Sequence, residues 1–426
     1  MTGKTMVEKI LSNKSKSMAD VRQGDLTIVD VDLMVCHDAN RPQASDIFKE
    51  MGGDKVYDPD KVKLVMDHAP GVPNQSASGI HAKMREFSSE QGAELIGPGE
   101  GICHQILAEK GEVGPGDLVL GTDSHTCTNG AFNAIGVGVG TSDLAAALLT
   151  GKTWVKVPES FQVELEGSFP ENVYPKDVAL EIIRILKADG ATYKALEFTG
   201  EAIKSISVAG RMTISNMAVE AGAKTAIFPF DNVLKDWLEH SGYKKEMTEI
   251  SPDEDAKYER KIVIDVSKLR PRISLPDQVE NITDGHSTEG LPIQQAVIGT
   301  CTNGRLEDLR EAARILENKK VAQGVKLFIT PASRETYAQA LEEGIIEIFI
   351  KAGAILGVPG CSGCSGGAHF AIPSDGDNVI TAANRNFVGR LGNKKAHIYL
   401  ASPAVVAQSA VSGHIKIPEE GGKTAS

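Results

Sequence analysis

Apolar positions along the chain fall into short β-type runs that alternate with stretches of helical spacing. The runs DLTIVDVDLMV (25–35), KVKLVMDH (61–68) and GDLVLGTDSHT (116–126) are apolar and end in polar or charged residues. Between them, ASGIHAKMREFSSEQG and SDLAAALLTGK place apolar residues at helical intervals. This alternation predicts an α/β fold, with parallel sheet covered by helices. Sheets of that kind carry functional side chains just past the C-terminal ends of their strands. Asp67–His68 and Asp123–Ser124–His125 stand at such positions.

The pattern restarts after KTWVKVPES. ESFQVELEGSF (159–169) predicts a strand, and PKDVALEIIRILKADGA (175–191) an amphipathic helix that ends at a glycine. A charged stretch, a strand and a Pro-rich exit follow over 253–276. LPIQQAVIGTCTNG then runs from a strand into a loop, RLEDLREAARILENKK (305–320) predicts a helix, and VKLFIT (325–330) a strand. No short-period repeat is present. Three α/β sections are expected, over 1–157, 158–277 and 278–426.

Composition supports folded α/β packing. Apolar residues make up 41% of 426 residues, enough for several cores, and aromatics only 5%. The formal charge is −12, and no basic run suggests a nucleic-acid face. The N-terminus lacks the apolar core of a signal peptide. No apolar stretch approaches the ~20 residues that span a bilayer. The chain is therefore expected to be cytoplasmic, with neither nucleic acid nor membrane as partner. In that compartment paired cysteines lean towards metal or redox chemistry rather than structural disulfides.

Two of the six cysteines, Cys361 and Cys364, share the glycine-rich loop PGCSGCSGG. Taken alone, a C-x-x-C divides evenly between an iron–sulfur cluster, half a zinc site and a redox pair. Cys301, after a strand in IGTCTNGR, adds a third thiol if both loops leave the same sheet end. Three is an informative count. Structural zinc takes four protein ligands, and a fully protein-held [4Fe–4S] cluster takes four cysteines. A cluster on three would keep one iron open to a substrate oxygen.

His68, His104 and His125 all fall in the first section, two of them beside carboxylates, an arrangement suited to proton transfer. Asn216 and Glu220 are four apart, on one face if TISNMAVEAGA is helical. Arg385 and Arg390 in NRNFVGRLG follow a strand-like run and suit carboxylate recognition. AIGVGVGTSD imitates a dinucleotide loop, with Gly136, Gly138 and Gly140 in a G-x-G-x-G spacing. It lacks a βαβ nucleotide unit around it.

The segments GTDSHT, IGTCTNGR, PGCSGC and NRNFVGR, in this order, resemble the aconitase superfamily. The similarity narrows to the large subunits of the 3-isopropylmalate dehydratase and homoaconitase type and runs over nearly the whole chain. It implies three α/β/α domains around a [4Fe–4S] cluster with one labile iron, held by Cys301, Cys361 and Cys364. The activity implied is a hydro-lyase acting on a small hydroxy di- or tricarboxylic acid. Isopropylmalate comes first, with homoaconitate, methylmalate or citramalate, and 2,3-dimethylmalate as alternatives. A cluster-sensing RNA-binding regulator is the disfavoured alternative class. The acid–base pairs implied are Asp67 with His68, Asp123 with His104, and Glu220 with His125. Ser124, Asn216, Asn303, Asn384, Arg385 and Arg390 are expected beside cluster or substrate. The chain departs from its relatives at Cys361-Ser-Gly-Cys364, where C-G-P-C is usual and the lost proline changes loop stiffness. It departs again at GGAHFAIPSDGD, where they continue with a GG-H-x-G-like stretch. Single-chain aconitases also carry a swivelling fourth domain with the catalytic serine base. The resemblance therefore implies a separate small subunit that supplies the base and part of the selectivity.

Overall fold

A computed structural model describes residues 3–40, 43–366 and 370–419. The GG-H-x-G-like departure lies partly outside them, at 367–369.

Three sheets organise the chain. The first is all parallel, in the spatial order Glu94–Ile96, Val62–Val65, Leu33–His37, Leu118–Gly121, Ile135–Gly138. The second is a parallel four-stranded sheet, ordered Thr225–Ile227, Ala195–Thr199, Ser160–Glu166, Arg260–Asp265. The third has seven strands, five of them parallel: His397–Leu400, Asn378–Thr381, Gln295–Ile298, Lys326–Ile329 and Ile355–Leu356. Arg272–Ser274 and Ile282–Asp284 extend it antiparallel at one edge.

Each sheet has its own apolar core. A further core joins them. It combines Leu33, Val35, Val65 and Val119 of the first sheet with Met212 of the second section and Cys301, Cys361 and Cys364 of the third. Chain topology aims functional loops at that junction. In the first sheet the strand order reverses between Leu33–His37 and Leu118–Gly121, and in the third between Gln295–Ile298 and Asn378–Thr381. Crevices at such reversals lie outside the carboxyl ends of strands.

Three local expectations are corrected. The run 25–35 is two strands, because Leu26–Asp30 pairs with Lys152–Lys156 in a separate antiparallel ribbon. The Asp32 carboxylate accepts from the Leu118 N–H at 2.7 Å and turns the chain into the first sheet. The helix Pro175–Leu186 stops before the expected glycine, at Lys187 with φ 63°. The Pro-rich exit contains Arg272–Ser274, a strand of the third sheet. We therefore propose a second boundary before Arg272 rather than at 277.

The dinucleotide-like glycines have a packing role. Gly136 and Gly138 lie in the edge strand Ile135–Gly138, and the turn Ser124–Phe132 lies against them. A Cβ on Gly136 would stand 2.0 Å from the Thr126 carbonyl oxygen. Gly136→Ala is expected to cost about 1–3 kcal/mol by overpacking and to lower the thermal midpoint. An unchanged midpoint would show that this contact relaxes freely.

Candidate active site

Cys301 sits in a strained turn. After Gln295–Ile298 come Gly299 at φ 141° and Thr300 at φ 71°. A β-branched residue in the left-handed region costs about 1–3 kcal/mol and persists only where the surroundings hold it. Arg305 does the holding. Its buried guanidinium donates to the Cys301 carbonyl at 2.6 Å and to the Thr302 carbonyl at 2.6 Å. Cys361 is set by a different contact. Its N–H donates to the Asp67 carbonyl at 2.8 Å. A Cβ on Gly360 would lie 2.8 Å from that same oxygen, so glycine is needed for the approach. A turn returns Cys364 N–H to the Cys361 carbonyl at 3.1 Å.

Polar donors aim at these sulfurs. Asn216 Nδ2 lies 3.2 Å and Asn384 Nδ2 3.4 Å from Cys301 Sγ, and Arg390 Nη2 donates to Cys364 Sγ at 2.7 Å. A hydrogen bond between the Cys361 and Cys301 thiols draws Cys301 well below the ordinary thiol range and pushes Cys361 up. The other three cysteines are raised as well, chiefly by burial: Cys36 to about 12, and Cys103 and Cys127 with it. All six are free thiols. Three converging thiols with amide and guanidinium donors on their sulfurs fit a cluster of three cysteine ligands.

The ionisable groups form one chain. His68 Nδ1 meets Asp67 Oδ1 at 2.7 Å, and its Nε2 meets Asp123 Oδ2 at 3.1 Å. Asp123 Oδ1 meets His125 Nδ1 at 3.2 Å, and His125 Nε2 meets Glu220 Oε1 at 2.9 Å. Glu220 then pairs with Arg385 Nε at 2.8 Å. The Asp67/His68 and Glu220/His125 pairs are thus in direct contact. His104 also pairs with Asp123, its Nε2 3.7 Å from Oδ1, an ion-pair contact longer than a hydrogen bond. Asp123 is thus shared by His68, His104 and His125.

Electrostatics follow from this geometry. Burial opposes charge on Asp123, yet the surrounding imidazoles of His104, His125 and His68 hold it well below the carboxylate range. Burial likewise opposes the His68 imidazolium, and Asp67 and Asp123 more than offset it, raising His68 well above the usual value. His125 is raised to about 10: Cys301, Asp123 and Glu220 overcome its burial.

The other expected residues separate. Asn216 closes the helix Val208–Met217, and Glu220 lies in the tighter turn Ala218–Ala221 beyond it. Asn384 also donates to Asn216 Oδ1 at 3.2 Å. Ser124 is exposed, with Oγ 3.4 Å from His125 Nδ1. Among the described residues, Asn303 keeps its buried Oδ1 without a partner. Its amide turns to Asp308 at 2.8 Å and Thr213 at 3.3 Å rather than to the thiols.

Sequence reading passed over His37, Asp38, His81 and Arg305. His37 stacks on His68 with ring centroids 4.2 Å apart. Its Nδ1 accepts from Ala39 N–H at 3.1 Å, so the neutral ring carries its proton on Nε2. Asp38 accepts from the His68 and Ala69 N–H groups and contacts His81 Nε2 at 2.8 Å. The signal was available: MVCHD ends an apolar run in a histidine and an aspartate, as KVKLVMDH does.

Comparison with known proteins places this geometry in context. The family model described as Aconitase family (aconitate hydratase) matches residues 8–284 and 278–413. The chain is 47% identical over 418 residues to 3-isopropylmalate dehydratase large subunit 2 of Archaeoglobus fulgidus, covering 98% of this chain and 99% of the relative. It is 46% identical to the 3-isopropylmalate dehydratase large subunit of Elusimicrobium minutum, covering 98% and 99%. It is 43% identical to the probable methanogen homoaconitase large subunit of Methanothermobacter thermautotrophicus, covering 99% of each. Among solved structures, holo aconitase X of Thermococcus kodakaraensis shares the fold, with a TM-score of 0.52 at 14% identity over 86% of this chain and 87% of that one.

The shared carboxylate makes a testable claim. Asp123→Asn removes a negative charge from His68, so the imidazolium loses support and its pKa must fall, by about one pH unit or more. A histidine-labelled NMR titration of the cluster-free chain measures it. An unchanged His68 titration would contradict the network.

Proposed function

The chain belongs to the aconitase family, and we propose that it is the cluster-bearing large subunit of a hydro-lyase of the 3-isopropylmalate dehydratase type. The observation that carries this reading is the meeting of three thiols with the Asp67–His68–Asp123–His125–Glu220–Arg385 chain in one buried junction. Relatives named for isopropylmalate and for homoaconitase stand at 47% and 43% identity. The substrate class is therefore a small hydroxy di- or tricarboxylic acid, isopropylmalate first and the homoaconitase substrate second.

Cys301, Cys361 and Cys364 would hold a [4Fe–4S] cluster. When bound, such a cluster supplies a Lewis-acidic iron. The chain's own residues do the rest. Asn216 and Asn384 orient Cys301, and Arg390 offsets charge on Cys364. We assign proton delivery to the leaving hydroxyl to His104, which lies behind Asp123. His68, clamped between two carboxylates, keeps the site supplied with a proton. Arg385 is one-fifth exposed and suits a substrate carboxylate.

The relatives are named as large subunits, which supports a small-subunit partner that brings the base. The loops bearing Cys361 and Arg385 also expose Val358, Phe387 and Val388, a surface suited to being covered. Among the described residues no helix is long and apolar enough to cross a membrane.

Anaerobic co-expression with a small subunit tests the proposal. Iron and acid-labile sulfide at about four each per chain are expected, with turnover of isopropylmalate or a homologous hydroxy acid. Cys361→Ser should abolish both the cluster absorbance and turnover. Zinc in place of iron, or full activity in that variant, would overturn the assignment.

A further inference from the structure

Lys176 takes no part in the chemistry described so far, yet its placement is unusual. It is the second residue of the helix Pro175–Leu186, and its side chain is fully buried. Among the described residues no carboxylate comes within ion-pair distance of its ammonium. Asp308 and Asp177 act on it only through space, and burial lowers it to about 7. A buried cation without a direct counter-ion is costly. An apolar side chain of similar length would fill the same space without that cost.

What the ammonium does contact is specific. It donates to the Ala382 carbonyl at 2.9 Å and the Ala383 carbonyl at 2.6 Å. These two residues join the strand Asn378–Thr381 to Asn384 and Arg385. The Ala383 carbonyl lies in the peptide that enters Asn384, and Arg385 follows one residue later. Asn384 reaches Cys301 Sγ, and Arg385 reaches Glu220. The helix has a second anchor on the third sheet besides Lys176. Its neighbour Asp177 already accepts from the Arg272 N–H at 2.7 Å.

We propose that Lys176 is a positioning residue of this site: by holding the Ala382 and Ala383 carbonyls, it aims Asn384 at Cys301 and Arg385 at Glu220. The inference rests on the functional reading above for the role of those two side chains, but not for the loop geometry. A cavity of about 270 Å³ lies beside the lysine, lined by Thr213, Asn303, Glu307, Asp308 and Arg310 among others. A small amine could therefore enter where the lysine is removed.

The test uses the complex with its small subunit and the variants Lys176→Met and Lys176→Ala. In Lys176→Met, amide exchange over 382–390 should rise about tenfold or more while exchange in 175–186 stays as in the wild type. Turnover should fall about 10–100-fold, the range for a lost supporting contact. In Lys176→Ala, ethylammonium should restore part of the turnover. Wild-type exchange and turnover in Lys176→Met would overturn the proposal. So would equal loosening of helix and loop with no amine rescue, which marks a purely structural role. Should Lys176→Ala fail to fold, Lys176→Met decides alone. If the wild-type complex turns over no hydroxy acid yet the loop loosens selectively, the functional reading fails and the role of Lys176 stands.

Discussion

A buried carboxylate, Asp123, is tolerable only because imidazoles surround it. That constraint governs the centre of the molecule. His68 and His125 must themselves be met, by Asp67 on one side and by Glu220 and Arg385 on the other. The network therefore takes residues from all three sections, and no section can satisfy its own charges alone. Removing one partner would leave another buried and unmatched, which is why such networks hold a single arrangement.

The thiols obey a related rule. Three cysteines in one apolar junction need groups that can meet negative charge on sulfur. Asn216, Asn384 and Arg390 provide them. These donors come from a helix end and from the loop after Asn378–Thr381, at the strand-order reversal of the third sheet. The first sheet brings its own reversal to the same place. The Cys361 N–H to Asp67 carbonyl bond joins the two. Two switch-point crevices facing each other enclose a single site.

Precision at that site is maintained from behind. Thr300 is held in a strained conformation while Arg305 grips the carbonyls of the turn. Lys176 grips the carbonyls before Asn384. Both are buried basic side chains that hold backbone, so they set where side chains point without reaching the chemistry. Gly360 and Gly136 contribute by absence, since a methyl at either would push apart strands and loops that must touch.

Much of this was written locally in the chain. Apolar periodicity marked the strands and helices, because one buried face imposes its repeat on the sequence. Strand-end motifs marked Asp67, His68, Asp123 and His125, because parallel sheets present their functional ends there. Other features could not be read from neighbours in sequence. The run 25–35 divides because Leu26–Asp30 pairs with a strand over a hundred residues away. Arg272–Ser274 joins the third sheet through Leu400. Asn303, beside a thiol in sequence, turns to Asp308 instead. Asp123 meets His125, two residues on, through its own turn, but docking of a distant loop brings His68 closer to it than His104. The sequence determined which residues could carry charge, thiol or turn. The tertiary structure decided which of them meet, because burial makes each charge choose its partner from whatever the other sheets bring within reach.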